Sequence, residues 1–432
     1  MAKEQKTEQI DIKKSLSPPL KKCDSLGTSG CSEKRHFSDI SKIPTLNVGM
    51  VGHIDHGKTT LLWKLTEKWS DNHSEELKRG ITIKLGYADC IIRKSKEGYN
   101  LKQGEPVKYI TFIDAPGHEM LMATMLSGAA LIDAAVLVIA ANEGIKPQTR
   151  EHLLALEAKK LKNIIIVQNK IDLVSKEKAI ENYNKIKEFI KGTIAENSPI
   201  IPVSAQQEIN IDKVLEALVK IESPERDTKS DPVFVIARSF DVNRPGTKIS
   251  ELKGGILGGV LKKGKIKIGD EIEIKPGLSL KKENKIVYET VKTKITGIFK
   301  GSHKILEATP GASLALETEL DTVMTKADAL SGCVASIIGK LPEITHNPRV
   351  KFTLFKEVLG MKEKRTVENI KTNELLMLNI NTAITVGQVI KLKGNEIELS
   401  LRIPIVPFKQ ENIGIARNVE SHWRLIGYGE II

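Results

Sequence analysis

A short apolar run, Leu46-Asn47-Val48-Gly49-Met50-Val51, leads straight into Gly52-His53-Ile54-Asp55-His56-Gly57-Lys58-Thr59 and then into a helical pattern over 60–68. The octapeptide has the G-x-x-x-x-G-K-[ST] spacing of a phosphate-cradling loop. Its position between a strand and a helix is the context that makes that spacing meaningful. Glycines let the backbone wrap tightly, so that N–H groups converge on phosphate oxygens. Lys58 brings a point charge to the β and γ phosphates, the Thr59 hydroxyl can ligate magnesium, and the helix start at Thr60 adds positive potential. Asp55, His56, Gly57, Lys58, Thr59 and Thr60 are therefore the first candidate nucleotide-binding residues.

The pattern that follows fits such a loop. Near-continuous apolar runs at 109–113, 135–140, 164–167 and 199–203 suit strands buried on both faces of a parallel sheet. Helical patterns over 148–160, 176–190 and 211–221 alternate with them. The alternation predicts a doubly wound, mostly parallel α/β domain over 46–228.

Three further motifs each follow one of these strands. Asp114-Ala115-Pro116-Gly117 places a carboxylate to hold magnesium and a glycine N–H to meet a γ-phosphate. Asn169-Lys170-Ile171-Asp172 ends in a carboxylate that can accept from both N1–H and the 2-amino group of guanine. Adenine offers neither donor, and the unpaired carboxylate would cost about 1–3 kcal/mol. Ser204-Ala205, with Gln206 beside it, can back the guanine O6. Together the motifs select GTP and GDP, with Mg2+, over adenine nucleotides.

Between the first two motifs lies Arg79-Gly80-Ile81-Thr82-Ile83, where Thr82 can add a second hydroxyl to magnesium once a γ-phosphate is present. Ile-Thr-Ile also has ordinary strand propensity, the plainer alternative. His118 is the candidate catalytic residue, orienting the attacking water where other GTPases use glutamine. Alternatively it only starts a helix. Ile54 and Ile81 would gate it.

After the polar linker 223–232 the alternation changes to period two, as in 265–274 and 396–403, with frequent Gly and Pro. That habit predicts small antiparallel β-barrels. The expected division is a β-barrel over 229–342 and another over 343–432. Residues 1–45 are polar and poor in aromatics, and are predicted to form a disordered tail.

Composition adds limits. A net charge of +12 favours polyanionic partners such as RNA. No apolar run reaches the ~20 residues needed to cross a bilayer, so no membrane partner is expected. Cys23, Cys31, Cys90 and Cys333 are too few for a disulfide framework and suit a cytoplasmic setting.

The run 52–60, with Arg79-Gly80-Ile81-Thr82 and Asp114-Ala115-Pro116-Gly117-His118-Glu119, resembles the translation factor GTPases related to elongation factor Tu. Finer stretches resemble the gamma subunit of translation initiation factor 2 in its archaeal form: 73–89, 168–174, Arg238-Ser239-Phe240-Asp241-Val242-Asn243-Arg244-Pro245-Gly246-Thr247 and His422-Trp423-Arg424-Leu425-Ile426-Gly427-Tyr428-Gly429. The similarity covers nearly all of 46–432. It implies GTP-dependent delivery of methionylated initiator tRNA to the small ribosomal subunit, within a heterotrimer. The alpha subunit would dock on the first barrel and a helix of the beta subunit on the GTPase domain. By the same resemblance, Asp55 and the Gly80 carbonyl would help hold a second magnesium. Gly254-Gly255-Ile256-Leu257-Gly258-Gly259 would approach the tRNA terminus, unless it is simply a glycine-rich barrel hairpin.

Family members often carry two CxxC pairs before the DxxG motif, whereas 91–107 contains no cysteine. Cys90 alone cannot complete a tetrahedral site of four thiolates, so no zinc is expected. An elongator-type carrier such as the selenocysteine-specific elongation factor is the competing reading, although such paralogues usually carry a further C-terminal RNA-binding domain. A GTP-binding assembly scaffold is a third. The guanine set argues against a metabolic P-loop enzyme.

Overall fold

The structure, a computed structural model, describes residues 43–67, 86–114, 131–243, 246–283, 285–358 and 365–432. Of the tail expected over 1–45, residues 1–42 lie outside them, while Ile43 is buried against Tyr109 and Ala312 and Thr45 opens the first strand, so the fold begins before residue 46. Gly80, Ile81, Thr82, Gly117 and His118 also lie outside the described residues.

The first domain is a seven-stranded sheet in the order β3-β2-β4-β1-β5-β6-β7. Its strands are β1 (Thr45–Gly52), β2 (Gly86–Ser95), β3 (Gly98–Asn100), β4 (Glu105–Asp114), β5 (Ala134–Ala140), β6 (Asn163–Asn169) and β7 (Ile200–Pro202). β4, β1, β5, β6 and β7 pair in parallel, as their unbroken apolar runs predict. Every residue of the central β5 is buried. Helices α1 (Lys58–Thr66) and α4 (Ile211–Lys220) cover one face through Leu61, Leu62, Leu65, Val214 and Leu218. Helices α2 (Pro147–Ala158) and α3 (Lys176–Ile190) cover the other through Leu153, Leu156, Ile186 and Ile190.

The sheet also extends antiparallel, through β2 and β3. The cysteine-free stretch 91–107 is thus a β-hairpin. Tyr99, Leu101 and Val107 from it pack on the same apolar core as α4.

Two closed six-stranded antiparallel barrels follow. The first uses Val233–Phe240, Ile256–Lys263, Glu271–Lys282, Lys285–Lys300, Ser313–Thr318 and Val334–Ile337, closed by pairing of the third with the fourth. Packing alone accounts for three of its glycines. A Cβ at Gly254 would lie 1.9 Å from the Thr318 carbonyl oxygen, one at Gly255 2.3 Å from Thr325, and one at Gly259 2.0 Å from the Val235 carbonyl oxygen. The second barrel uses Arg349–Leu354, Leu375–Ile380, Ala383–Lys393, Glu396–Leu401, Asn412–Val419 and His422–Ile431.

Contacts join all three domains. The Thr111 hydroxyl of β4 accepts the Ser313 N–H of the first barrel at 3.4 Å, and Lys159 of the first domain donates to the Asn412 carbonyl of the second barrel at 3.0 Å. Thr382 of the second barrel donates to the Ile236 carbonyl of the first at 2.7 Å. No helix among the described residues is long and apolar enough to cross a membrane.

Candidate nucleotide site

The loop between β1 and α1 is held open at the C-terminal edge of the sheet. Gly52 has φ +137°, and a Cβ there would lie 2.3 Å from the Val138 carbonyl oxygen of β5. Gly57 sits at φ +86° as the residue before α1, and its carbonyl accepts the first helical bond from Leu61 at 2.9 Å. The N–H groups of the α1 N-terminus are left pointing into the loop, the arrangement that favours an anion. Lys58 is buried, and its ammonium donates to the His53 carbonyl of the same loop at 2.8 Å.

The Thr59 hydroxyl donates to the Asp114 carboxylate at 3.0 Å, so two of the expected metal ligands, 55 residues apart in sequence, meet at one point. Both are hard oxygen donors, the chemistry magnesium prefers. Asp55, also at positive φ, is exposed at the loop tip. Thr60 is half-buried in the first turn of α1.

Asn169, at the end of β6, fastens the loops together. Its side-chain amide donates to the His56 carbonyl at 3.0 Å, and its side-chain oxygen accepts the Ala205 N–H at 3.1 Å. One buried amide therefore joins the phosphate loop, the NKxD loop and the Ser204-Ala205 loop. Ser204 is buried, and its hydroxyl accepts the Gln207 N–H at 3.2 Å, tightening the turn. Asp172 and Gln206 stand exposed on the rim, where a base can reach them. Lys170 has φ +61° and an ammonium 3.7 Å from Glu143.

Two buried histidines belong to this site. His56 is fully buried and bonds the Val138 carbonyl through Nδ1 at 3.2 Å, and burial lowers its pKa to about 3. His152, on α2, accepts the Gly52 N–H on Nδ1 at 2.7 Å, and burial likewise lowers it to about 3. Both rings are neutral at physiological pH. Sequence reasoning missed His152 and Glu143. His152 lies 100 residues from the loop it supports, and its local signal, a polar residue at a buried helical position, is shared by Thr149 and Glu151.

Residues 43–224 match the Elongation factor Tu GTP binding domain family, and residues 346–431 match the family described as Initiation factor eIF2 gamma, C terminal. Translation initiation factor 2 subunit gamma of Methanococcus maripaludis is 50% identical over 402 residues, covering 90% of this chain and 98% of the relative. The Thermoplasma acidophilum protein of the same name is 51% identical over 398 residues, covering 90% and 97%. The chain belongs to the translation initiation factor 2 gamma-subunit family. As a gamma-subunit family member it is a translational GTPase of initiation, built on a guanine-nucleotide domain. Solved structures share the fold at lower identity. A bacterial selenocysteine-specific elongation factor gives a TM-score of 0.72 at 22% identity, over 90% of this chain and 58% of that one. The elongation factor SelB of Methanococcus maripaludis, with a GTP analogue, gives 0.68 at 23%, over 90% and 79%. The elongator reading thus shares the architecture, while the sequence over 90% of the chain sides with the gamma subunits.

Proposed function

We propose that this chain carries methionylated initiator tRNA to the small ribosomal subunit in a GTP-dependent manner, as the core of a heterotrimer with alpha and beta subunits, and releases it on hydrolysis. The observation that carries the reading is identity near 50% with the gamma subunits across the GTPase domain and both barrels, over 98% of a relative's length. The domain limits 46–228, 229–342 and 343–432 belong to the same reading and are supported by where the strands of each sheet begin and end.

Within the site, Lys58 and the N–H groups of the loop would bind phosphates, and Asp172 the guanine edge. Asn169, Lys170, Ser204, Ala205 and Gln206 would shape the base pocket. Thr59 and Asp114 would hold magnesium, with Thr82 joining in the GTP state. Bound magnesium neutralises phosphate charge. Gly117 would meet the γ-phosphate and His118 orient the water, with Asp55 and the Gly80 carbonyl at a second magnesium. The reading includes a cytoplasmic setting and no zinc. Elemental analysis showing one zinc per chain would overturn the latter.

The deciding measurement compares methionyl initiator tRNA with methionyl elongator tRNA, each with GTP and with GDP. The reading expects GTP-dependent preference for the initiator species, weakening steeply as salt rises and counterions compete. Equal binding of both tRNAs in GTP would sink it.

A further inference from the structure

Glu143 lies in the turn after β5, outside every nucleotide motif. Its backbone is fixed by bonds from the Glu143 and Gly144 N–H groups to the Ala140 carbonyl, at 3.3 and 2.8 Å. From there its carboxylate reaches three groups. One oxygen lies 3.7 Å from the Lys170 ammonium, and the other lies 3.7 Å from Lys146 and 4.0 Å from Nε2 of His56.

The histidine's state decides what this cluster is. His56 meets a carbonyl oxygen through Nδ1, so Nδ1 carries a proton, and burial, which lowers the pKa to about 3, leaves Nε2 a lone pair. That Nε2 is buried with no hydrogen-bond partner of its own. It faces a carboxylate that can only accept. His56 and Glu143 therefore do not form an ion pair, despite their distance. The Glu143 carboxylate is the anion of the cluster, and the Lys170 ammonium, from the base loop, lies against one of its oxygens. Lys146, at the start of α2, lies against the other oxygen.

We propose that Glu143 is a positioning residue for guanine-nucleotide binding: by pairing with the Lys170 ammonium it holds the base loop to the turn after β5 and slows nucleotide release. This rests on the guanine-site reading above. Asn169 fastens the base loop to the phosphate loop, and Glu143 fastens it to the turn after β5, through charge. Because Lys170 and Glu143 side chains are 27% and 29% exposed, the pair is partly screened by salt. Release should depend on ionic strength in the native chain and less so once the carboxylate is gone.

The test is a double-mutant cycle on the full chain, read as dissociation rates of a fluorescent GDP analogue. Glu143→Gln should speed release about three- to fivefold, a change of the size expected for one partly exposed charge interaction. In a Lys170→Met background the same change should add less than about twofold, because its partner has already gone. Glu143→Asp, with the charge one methylene short, should fall between. Equal acceleration in both backgrounds would show that Glu143 supports the fold rather than Lys170, and would overturn the proposal. So would unchanged release in the Glu143→Gln single variant. Failure of the guanine reading itself would look different: the native chain would bind the GDP analogue no better than an adenine one.

Discussion

Arg424, in the last strand of the second barrel, donates to the Glu151 carboxylate of α2 at 2.8 Å, with both side chains buried. The next residue on α2 is His152, whose Nδ1 holds the Gly52 N–H at the head of the phosphate loop. One helix turn therefore carries the second barrel on one side and the nucleotide loop on the other. Removing one partner of a buried ion pair leaves the other charge uncompensated, at about 3–5 kcal/mol, whereas removing both is often close to neutral. Arg424→Leu alone should lower the denaturant midpoint strongly, and Arg424→Leu with Glu151→Met should restore most of it. A double variant as unstable as the single would show that packing, not charge, holds this contact.

Gly57 faces two restrictions at once. Its φ of +86° is one that a side chain resists, and a Cβ would stand 2.4 Å from Nδ2 of Asn169. That amide is the group joining the phosphate loop to the base loops. Gly57→Ala should therefore strain the backbone by about 1–3 kcal/mol and displace Asn169. Guanine-nucleotide affinity is expected to fall by roughly tenfold or more, each tenfold being about 1.4 kcal/mol. Titration calorimetry with GDP checks this, and native-like affinity would mean Asn169 can shift without consequence.

What could be read beforehand follows from how local each signal is. The apolar runs at 135–140 and 164–167 become β5 and β6 because a strand covered by helices on both faces must be apolar throughout. The NKxD and Ser204-Ala205 motifs each follow an apolar strand in the sequence, and Asn169 makes the contacts that join both loops to the phosphate loop. The β2–β3 hairpin was not foreseen. Its turn and flanks carry Lys94, Lys96, Glu97 and Lys102, and the buried alternation Ala88, Cys90, Ile92 of β2 is short and made of small or mixed residues, which a hydrophobic pattern does not mark. Arg424 and Glu151 are 273 residues apart, and His152 and Gly52 are 100 apart. Nothing in a local window distinguishes a helical Glu or His that points at another domain from one that points at water.

The two neutral histidines make stability depend on acid. Burial holds His56 and His152 at about 3, against about 6.5 in the unfolded chain. Between those values the unfolded state binds protons that the folded state does not, so stability is fully present above pH 6.5 and is lost as pH falls toward 3. At pH 5 each histidine accounts for about 2 kcal/mol of that loss, at 1.36 kcal/mol per pKa unit. His152→Gln keeps an acceptor for the Gly52 N–H and removes the titration. Its unfolding free energy, followed by guanidinium melts from pH 7.5 to 5, should fall less than the native chain's by about 2 kcal/mol. Parallel curves for the two proteins would contradict the buried, neutral assignment.

Lys108 ends α4 in an unusual way. No glycine stops that helix. Instead the buried Lys108 ammonium, reaching from β4, donates to the carbonyls of Leu218 at 3.3 Å and Val219 at 3.1 Å, and to that of Ile221. Burial pulls the pKa of this amine below the usual lysine value, and the three carbonyls at the negative end of the helix dipole are what make a cation tolerable there. Lys108→Met keeps the length and apolar stem but abandons those carbonyls, so it should destabilise by about 2–3 kcal/mol, the worth of a charged hydrogen bond inside a protein. The loss should be local: amide exchange over 211–221 should accelerate more than over α3, whose own first turn is capped by Ser175. Uniform acceleration across both helices would mean that Lys108 holds the sheet to the helix layer as a whole rather than capping α4.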